Sequence, residues 1–553
     1  MAIAARAMPE ELDRLLGLGA TKLDIGQAAY LAGLMRAPEA ADASLHPEEA
    51  ARRRQTSLTA MEQEGYISAD EADLYSQVTF EAPYFLPRQS SSRVTTLEGS
   101  DYGAEYVTTY VAQLLMDENG PFGFTEEEVY GGGLRVHTSI DLDMQGRAWA
   151  AVRDVLNQPG DPQAGMVAVD DQGMVRAMVG ARPPAPGEAD KPEANYAVRG
   201  AGSSGRPVGS TFKPIALAEA VATGKSLASR YDAPGKYTVD QSSVVDEQGN
   251  LRCEREWEVN NYAESEGGNL DLIGATAQSS NTAYAQLMVD LGPDKVVSMA
   301  QKLGMPGDFD PRCPTMVLGT ENASPLDMAG VYSVFANRGV KKTPALITRV
   351  DQIGDEGEVT TLYNRQPPAG EQVLTPQQAD LVTHALQSVI TDGTGKAADI
   401  GRPAAGKTGT SQENKDAWFV GYVPKLTAAV WMGYPEADWT DPETGKKSIP
   451  PMNPRGIPVH GGSATGGSFP AQIWHDFMAV AKGGFCGSFP PPRQPVQFRP
   501  FFGRYATTGT VHWTARNRST PMTALTAPLS TKFSLKAQRR SASRTPSWCS
   551  TSV

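Results

Sequence analysis

A serine and a lysine three positions apart, Ser210 and Lys213, are the residues in this sequence best suited to nucleophilic chemistry. The run FKPIALAEAVATG follows Ser210, so we expect the serine oxygen at a helix N-terminus, where the helix dipole favours developing negative charge. The spacing places both side chains on one helix face. A serine becomes a good nucleophile when a base takes its proton, and a lysine kept neutral by desolvation or by a nearby cation, such as Lys407, can be that base.

A second polar element follows at Ser279-Ser280-Asn281. Ser279 could relay a proton to a leaving amine. Asn281 could hydrogen-bond a substrate amide, because a side-chain amide both donates and accepts. A polar turn between helices would show the same residue types, but its spacing from Ser210 favours a catalytic function.

A third element, Lys407-Thr408-Gly409 followed by Thr410, lies on a predicted strand. The lysine and the threonines would supply a cation and hydroxyls for a substrate carboxylate. Gly409 has no side chain, so a peptide could lie flat against the strand. The backbone N–H groups of Ser210 and Thr410 could together form an oxyanion hole.

The bulk composition limits the functional classes. The chain has 553 residues, enough for two to four domains, and an ordinary globular composition. A net charge of −13 argues against nucleic-acid binding. No segment reaches the roughly 18 apolar residues that span a bilayer, and the N-terminus lacks a signal-peptide apolar region.

The four cysteines show no C-x-x-C pairing, which argues against a zinc site and against a dense disulfide scaffold. Cys253 and Cys313 either form one disulfide, if the protein is extracellular, or are two unrelated buried thiols. The other two are Cys486 and Cys549. We expect neither a metal ion nor a cofactor.

Periodicity and capping signals predict the elements that must position these motifs. We expect helices at 23–35, 47–61, after Ser68, at 102–116, after Asp141 and after Ser210. QVTFEAPYF is predicted to be extended, and a hairpin is predicted around 171–173. AAGKTGTS, DAWFVGYVP and LTAAVWMGY are predicted strands. Strands, then helices, then strands indicate an α+β domain on a largely antiparallel sheet.

The three motifs together match the S-x-x-K, S-x-N and K-T-G set of penicillin-recognising serine acyltransferases. NYAVRGAGSSGRPVGSTFKP, NTAYAQL, GTGKAADIGRPAAGKTGTSQENKDAWFVGYVP and GGSFPAQIW resemble the transpeptidase domain of class A penicillin-binding proteins, from about Gly165 to Lys482. The resemblance implies a β-lactamase/D,D-peptidase-like fold and an acyl-enzyme. Ser210 would attack the D-Ala–D-Ala bond of a peptidoglycan stem peptide, release D-Ala and pass the acyl group to a neighbouring amine.

The same resemblance implies that β-lactams acylate Ser210 and that cell-wall assembly proteins are partners. Residues 23–67 resemble the last helices of that family's glycosyltransferase domain. The family's glycosyltransferase glutamates and transmembrane anchor lie upstream of those helices, in motifs this sequence does not contain. We therefore expect no glycosyl transfer, and we expect a full-length form to act at the extracytoplasmic face of the plasma membrane.

Four regions are expected on this basis. They are a glycosyltransferase remnant at 1–76, a mixed linker region at 77–160, the transpeptidase domain at 161–485, and a Pro-rich linker with a basic Ser/Thr-rich tail at 486–553. The tail would be either disordered or a non-native reading frame.

Other functions remain open from the sequence. A D,D-carboxypeptidase would give the acyl group to water, and a β-lactamase would need an extra base for which no motif follows Asn281. A β-lactam or muropeptide-binding module and an inactive truncated product are the non-enzymatic alternatives. Trp257, Tyr262 and Trp418 could shape the cleft, but we expect them to be buried core aromatics, which are commoner. His460 could line the groove, but we expect it in a surface loop.

Overall fold

The chain forms two compact units, residues 1–97 and residues 98–553. The computed structural model describes residues 24–34, 47–77, 102–186, 188, 194–200, 202–263, 267–309, 312–354, 357–435, 439–481 and 487–492. The extended segment predicted beyond residue 77, most of the Pro-rich linker and tail, and Cys486 and Cys549 lie outside these residues. Within the described residues, no helix is long and apolar enough to cross a membrane.

In its described residues, the first unit contains three helices, α1 (Ile25–Leu34), α2 (Pro47–Gln63) and α3 (Ala69–Ser76). The predicted capping box at Ser68 is present, because its side chain accepts from the N–H of Glu71 while the Glu71 carboxylate accepts from the N–H of Ser68. Four buried apolar residues form the small core: Ala29, Leu58, Ile67 and Ala72.

The second unit contains ten helices in its described residues. In chain order they are α4 (Ala104–Met116), α5 (Glu126–Gly131), α6 (Leu142–Val155), α7 (Lys213–Ala222), α8 (Leu272–Ala277), α9 (Asn281–Leu291), α10 (Pro293–Leu303), α11 (Pro325–Ala336), α12 (Pro376–Thr391) and α13 (Phe469–Val480). Short 3₁₀ helices cover Gly209–Phe212, Pro314–Leu318, Lys396–Ala398 and Gln412–Asn414.

The strands of the second unit, again in chain order, are β1 (Leu134–Thr138), β2 (Gln163–Asp170), β3 (Val175–Val179), β4 (Arg206–Pro207), β5 (Arg230–Ala233), β6 (Lys236–Asp240), β7 (Glu256–Asn260), β8 (Gly268–Asp271), β9 (Asn322–Ala323), β10 (Val340–Lys341), β11 (Ile347–Ile353), β12 (Val359–Asn364), β13 (Glu371–Gln372), β14 (Ala405–Thr410), β15 (Asp416–Val423), β16 (Leu426–Gly433), β17 (Trp439–Thr440) and β18 (Lys447–Ser448). The helix predicted after Asp141 and the hairpin predicted around 171–173, now β2–β3, are both confirmed.

Five of these strands form the main sheet, in the order β14-β15-β16-β2-β3, and every neighbouring pair is antiparallel. The predicted α+β class is therefore confirmed. The three segments AAGKTGTS, DAWFVGYVP and LTAAVWMGY became β14, β15 and β16, as predicted. β14 is an edge strand, so one side of its backbone is not used by the sheet.

The sheet separates two apolar cores, because successive side chains of a strand point to opposite faces. The larger core, which also contains α7 and α9 to α12, receives the strand residues Val167, Val169, Trp418, Val420, Tyr422, Ala429 and Trp431. The smaller core, which contains α6 and α13, receives Met166, Ala168, Ala417, Phe419, Val423, Ala428, Val430 and Met432. Nearly all of α7 is buried in the larger core, which makes it the central helix of the unit.

Smaller sheets surround this core. β1, β11 and β12 form a three-stranded antiparallel sheet, and two-stranded antiparallel pairs join β5 to β8 and β6 to β7. The β6–β7 hairpin packs on α9 through an apolar cluster of Val239, Val259 and Ala285. This hairpin becomes important below because β7 ends beside the second sequence motif.

Of the two states open for Cys253 and Cys313, the structure has the disulfide, with a Cα–Cα distance of 6.0 Å. Cys253 lies between β6 and β7, and Cys313 is the residue from which the 3₁₀ helix Pro314–Leu318 begins. The bond therefore ties the β6–β7 hairpin to that 3₁₀ helix. It closes a loop with a sequence separation of 60.

Replacing both cysteines, Cys253→Ser with Cys313→Ser, is expected to lower the free energy of unfolding by about 4 kcal/mol, because the unfolded chain regains the freedom of the open loop. Urea unfolding followed by circular dichroism measures the change. Dithiothreitol should destabilise the wild type and leave the double variant unchanged. A wild type that is insensitive to the reductant would contradict the expected contribution of the disulfide.

Candidate active site

Ser210 lies in the 3₁₀ helix Gly209–Phe212, which runs directly into α7. The serine is thus at the start of the predicted helix, one turn before its first α-helical residue. Gly209 has φ of 56°, and a Cβ there would come within 2.8 Å of the Thr410 carbonyl oxygen. Only glycine allows the backbone before Ser210 to approach β14 this closely.

Lys213, the first residue of α7, is completely buried. Its Nζ donates to the backbone oxygen of Ser279 at 2.5 Å and to Oδ1 of Asn281 at 2.7 Å, and it lies 3.4 Å from the Ser279 Oγ. The structure therefore brings the first and second motifs into direct contact. A buried ammonium or amine needs such partners, because its desolvation is otherwise costly.

Ser279 joins α8 to α9 and has φ of 58°, a left-handed conformation that is unusual for a residue other than glycine. This backbone conformation places both its carbonyl oxygen and its hydroxyl toward the lysines. Ser280, the next residue, caps α9 by accepting from the N–H of Ala283. Strained conformations of this kind cost on the order of 1–3 kcal/mol and persist where the surrounding structure holds them.

Lys407 on β14 is also completely buried, and its Nζ donates to Ser279 Oγ at 2.7 Å and to the backbone oxygen of Thr408 at 3.0 Å. Burial lowers the pKa of Lys407 from 10.5 to about 7. The Ser279 hydroxyl thus contacts both lysines. The prediction that Lys407 could be the cation beside Lys213 therefore depends on pH, because a pKa of about 7 makes the charge of Lys407 sensitive to pH near neutrality.

The other residues of the third motif lie along the free edge of β14. The Ser411 N–H donates to the Asp416 oxygen, so in the antiparallel ladder the N–H and C=O of Thr410 point away from β15, toward the open edge. This is the direction that the predicted oxyanion hole requires. The hydroxyl of Thr408 hydrogen-bonds that of Thr394 at 2.7 Å, and Thr394 is a lining residue that the sequence analysis missed.

Gly409 is buried, and a Cβ at this position would lie 2.7 Å from the Val208 oxygen and 2.8 Å from Cγ2 of Thr211. The glycine therefore allows β14 to pack on the segment that carries the nucleophile. From the sequence we predicted that glycine here lets a substrate peptide lie flat against β14. In the structure, glycine is required by the packing of Val208 and Thr211 instead.

A cleft of about 1300 Å³ opens over these residues. Five of the eight predicted site residues line it: Ser210, Ser279, Asn281, Thr408 and Thr410. Lys213, Lys407 and Gly409 are buried. In the described part of the chain, no group of three or more His, Cys, Asp and Glu side chains could hold a metal ion.

The aromatic predictions near the site have mixed outcomes. Trp418 is fully buried, as expected, and its indole N–H donates to the Pro207 oxygen at 2.8 Å. The core prediction is wrong for Tyr262, which is 65% exposed, and both Tyr262 and the half-buried Trp257 line the cleft. His460 lies in a loop after β18, as expected, and its Nε2 hydrogen-bonds Asp161 Oδ2 at 3.0 Å.

One ion pair beside the nucleophile was missed by the sequence analysis. Arg206 on β4 donates to Oδ1 of Asp416 at 2.7 Å, and the carboxylate, which is almost fully buried, also accepts from Ser411 Oγ and from the indole N–H of Trp431. The pair ties β4, the strand before Ser210, to the start of β15. Arg206 lies four residues before the nucleophile in GRPVGS, but no spacing rule links it to an aspartate so distant in the chain.

The buried Lys407 should make stability depend on pH. Its unfolded form keeps a proton up to about pH 10.5 and its folded form only to about pH 7, so the unfolded state binds more protons between these values. The free energy of unfolding should therefore rise with pH across this window, by up to about 1.4 kcal/mol per pH unit from this residue alone.

Urea unfolding of wild type and Lys407→Met at pH 7.5, 8.5 and 9.5 measures this dependence. The methionine has a similar length and does not titrate, so the difference between the two slopes isolates Lys407. Equal slopes would show that Lys407 keeps an ordinary pKa in the folded protein.

Comparison with known proteins agrees with this geometry. A family model, the penicillin binding protein transpeptidase domain, matches residues 164–453. Penicillin-binding protein 1A of Aquifex aeolicus is 26% identical over 545 residues, covering 83% of this chain and 66% of the relative. Penicillin-binding protein 1A of Mycolicibacterium smegmatis is 30% identical over 497 residues, covering 86% and 56%. The chain thus spans between 56% and 66% of the length of these two relatives.

Among solved structures, the penicillin-binding protein PonA1 from Mycobacterium tuberculosis superposes with a TM-score of 0.56 at 27% identity, covering 71% of this chain and 95% of that one. A second PonA1 structure, in complex with penicillin V, has a TM-score of 0.55. The sheet between two cores, the three motifs at one cleft and these relatives lead to one conclusion. The chain belongs to the penicillin-binding protein transpeptidase family, and within it to the class A penicillin-binding proteins.

Proposed function

We propose that this chain is a serine D,D-transpeptidase that cross-links peptidoglycan stem peptides through an acyl-enzyme on Ser210. The observation that carries the proposal is the buried Lys213, held by Ser279 and Asn281 at the base of the cleft that Ser210 lines. A lysine beside a serine nucleophile can act as the base that takes the serine proton.

The hydrogen bonds of Lys213 support its role as general base. A neutral amine has two N–H groups and one lone pair. The Ser279 oxygen and the Asn281 Oδ1 can accept from both N–H groups, at 2.5 and 2.7 Å. The lone pair is then directed away from these two acceptors and can take the proton of Ser210 as its oxygen attacks the peptide carbonyl.

Collapse of the tetrahedral intermediate requires a proton on the departing amine. Ser279 Oγ lines the cleft and accepts from Lys407 at 2.7 Å, so it can give its own proton to the D-Ala nitrogen while a lysine replaces that proton. The negative charge on the former carbonyl oxygen would be stabilised by the N–H groups of Ser210 and Thr410. An amine of a second stem peptide then attacks the ester, and Ser210 regains its proton.

Several features favour amine transfer over rapid hydrolysis. Among the cleft-lining residues that the structure describes, the carboxylates are Glu413 and Asp416. Glu413 pairs with Lys415 at 2.7 Å, and both oxygens of Asp416 accept hydrogen bonds. A β-lactamase needs a base to activate water for deacylation, and neither carboxylate is placed for this task. A D,D-carboxypeptidase remains the alternative that uses the same acyl-enzyme.

The proposed ligands are stem peptides ending in D-Ala–D-Ala and β-lactam antibiotics. The PonA1 complex with penicillin V supports the second ligand by similarity.

We further propose that the protein acts at the extracytoplasmic face of the plasma membrane, alongside other cell-wall assembly proteins. The Cys253–Cys313 disulfide supports this location, since disulfides persist in oxidising compartments.

Incubation with a penicillin should add the mass of one β-lactam, and peptide mapping should place it on Ser210. Ser210→Ala should remove the adduct completely and leave the circular dichroism spectrum unchanged. Ser243→Ala, an exposed serine between β6 and β7, is the matched control and should react like wild type. An adduct that persists in Ser210→Ala would mean that another residue is the nucleophile.

Lys213→Ala should slow acylation by about 10²- to 10⁴-fold, as expected for loss of a general base. Stopped-flow fluorescence with a fluorescent penicillin measures the rate. Lys225 is a buried lysine just beyond the end of α7, so Lys225→Ala controls for loss of a buried ammonium and should acylate normally. Equal rates in the two variants would assign the base to another group.

A further inference from the structure

Asn261, the residue after β7, is almost fully buried and makes an unusual set of contacts with the second motif. Its Oδ1 accepts from the backbone N–H of Asn281 at 2.8 Å, from the N–H of Thr282 at 3.1 Å and from Ser280 Oγ at 3.2 Å. One side-chain oxygen therefore contacts three consecutive residues at the start of α9.

The backbone N–H groups of Asn281 and Thr282 need an acceptor from outside the helix, because the first N–H groups of a helix have no partner within it. Ser280, the local cap, uses its hydroxyl oxygen for the N–H of Ala283. Asn261 accepts from the two preceding N–H groups, those of Asn281 and Thr282. The N-terminus of α9 is thus capped by two residues, one local and one from the β6–β7 hairpin.

Asn261 is itself held in place. Its backbone N–H donates to the Gly235 oxygen at 2.7 Å, and its Nδ2 donates to the Pro234 oxygen at 3.3 Å. These bonds fix it to the segment that leads into β6. These two hydrogen bonds therefore fix the position of the Asn261 Oδ1 atom that contacts α9.

The neighbouring backbone sets the amide orientation of Asn281. The Asn260 carbonyl oxygen accepts from Nδ2 of Asn281 at 2.7 Å, which leaves Oδ1 of Asn281 facing the Lys213 Nζ, also at 2.7 Å. The end of β7 thus fixes both the backbone position and the side-chain orientation of Asn281. Through Asn281, it determines one of the acceptors that orient Lys213.

We propose that Asn261 is a positioning residue for acylation, which holds Ser280 and Asn281 so that Asn281 orients the Lys213 amine toward Ser210. The inference rests on the proposed acyl-enzyme function and adds a residue outside the three motifs. In this proposal Asn261 acts on Lys213 through Asn281.

Gln286 offers a matched control on the same helix. It is 1% exposed, and its Nε2 donates to the Asp232 oxygen at 2.7 Å and to the Thr282 oxygen at 3.0 Å. Gln286→Ala removes a buried carboxamide that also ties α9 to a neighbouring strand, but this carboxamide does not contact Ser280 or Asn281. A purely structural role of Asn261 would make the two alanine variants behave alike.

The experiment measures the second-order acylation rate with a fluorescent penicillin and the Tm of each full-chain variant. Asn261→Ala should acylate about ten- to a hundredfold more slowly than wild type, because two buried N–H groups lose their acceptor. Gln286→Ala should show a similar loss of Tm with a rate within about twofold of wild type. Asn261→Asp keeps an oxygen acceptor at a helix N-terminus and should recover most of the rate.

A double-mutant cycle tests the route of action. In an Asn281→Ala background, Asn261→Ala should lower the rate by less than about twofold, because residues that act as one unit are not additive. Full additivity, a wild-type rate in Asn261→Ala, or equal rate losses in Asn261→Ala and Gln286→Ala would each overturn the inference while leaving the acyl-enzyme intact. A wild type that forms no adduct would overturn the proposed function and this inference together.

Discussion

Two lysine side chains buried side by side impose the central constraint on this structure. Lys213 and Lys407 are both inaccessible to solvent, and both reach the hydroxyl or carbonyl group of Ser279. Burial disfavours a charged amine and lowers the pKa of Lys407 to about 7. The Ser279 hydroxyl lies within hydrogen-bonding distance of both amines, at 3.4 Å from Lys213 Nζ and 2.7 Å from Lys407 Nζ.

The fold holds the two lysines and Ser279 close together by bringing three separate segments of the chain into contact. α7 is fixed within the larger core, β14 is fixed as the sheet edge, and the turn between α8 and α9 is held by the β6–β7 hairpin. Backbone contacts at Gly209 hold the nucleophile segment on the end of β14, and the Arg206–Asp416 pair holds it on the start of β15. Breaking a buried pair of this kind by removing one partner costs several kcal/mol.

The fold class and the strands of the main sheet could be predicted, because each depends on local patterns of apolar residues and caps. The meeting of the three motifs was predicted from their match to a known family set. β15 and β16, for example, are continuous apolar runs. Contacts between distant polar residues could not be predicted. Asn261 looks like any surface asparagine in NNY, and Asp416 like an ordinary strand start. Tyr262 was misplaced because aromatic residues are usually buried, whereas here the ring borders a cleft.

The order of strands in the main sheet has a consequence for the way the molecule is made. β2 lies early in the sequence of the second unit, but its partner β16 begins only at Leu426. Both Ser210 and Lys407 are synthesised before β16. Pairings between such distant segments form slowly, because a large loop must close first. A partly synthesised chain can therefore contain Ser210 and Lys407 while it still lacks β16. The main sheet that carries β14 therefore cannot be completed until the chain has been made as far as Gly433.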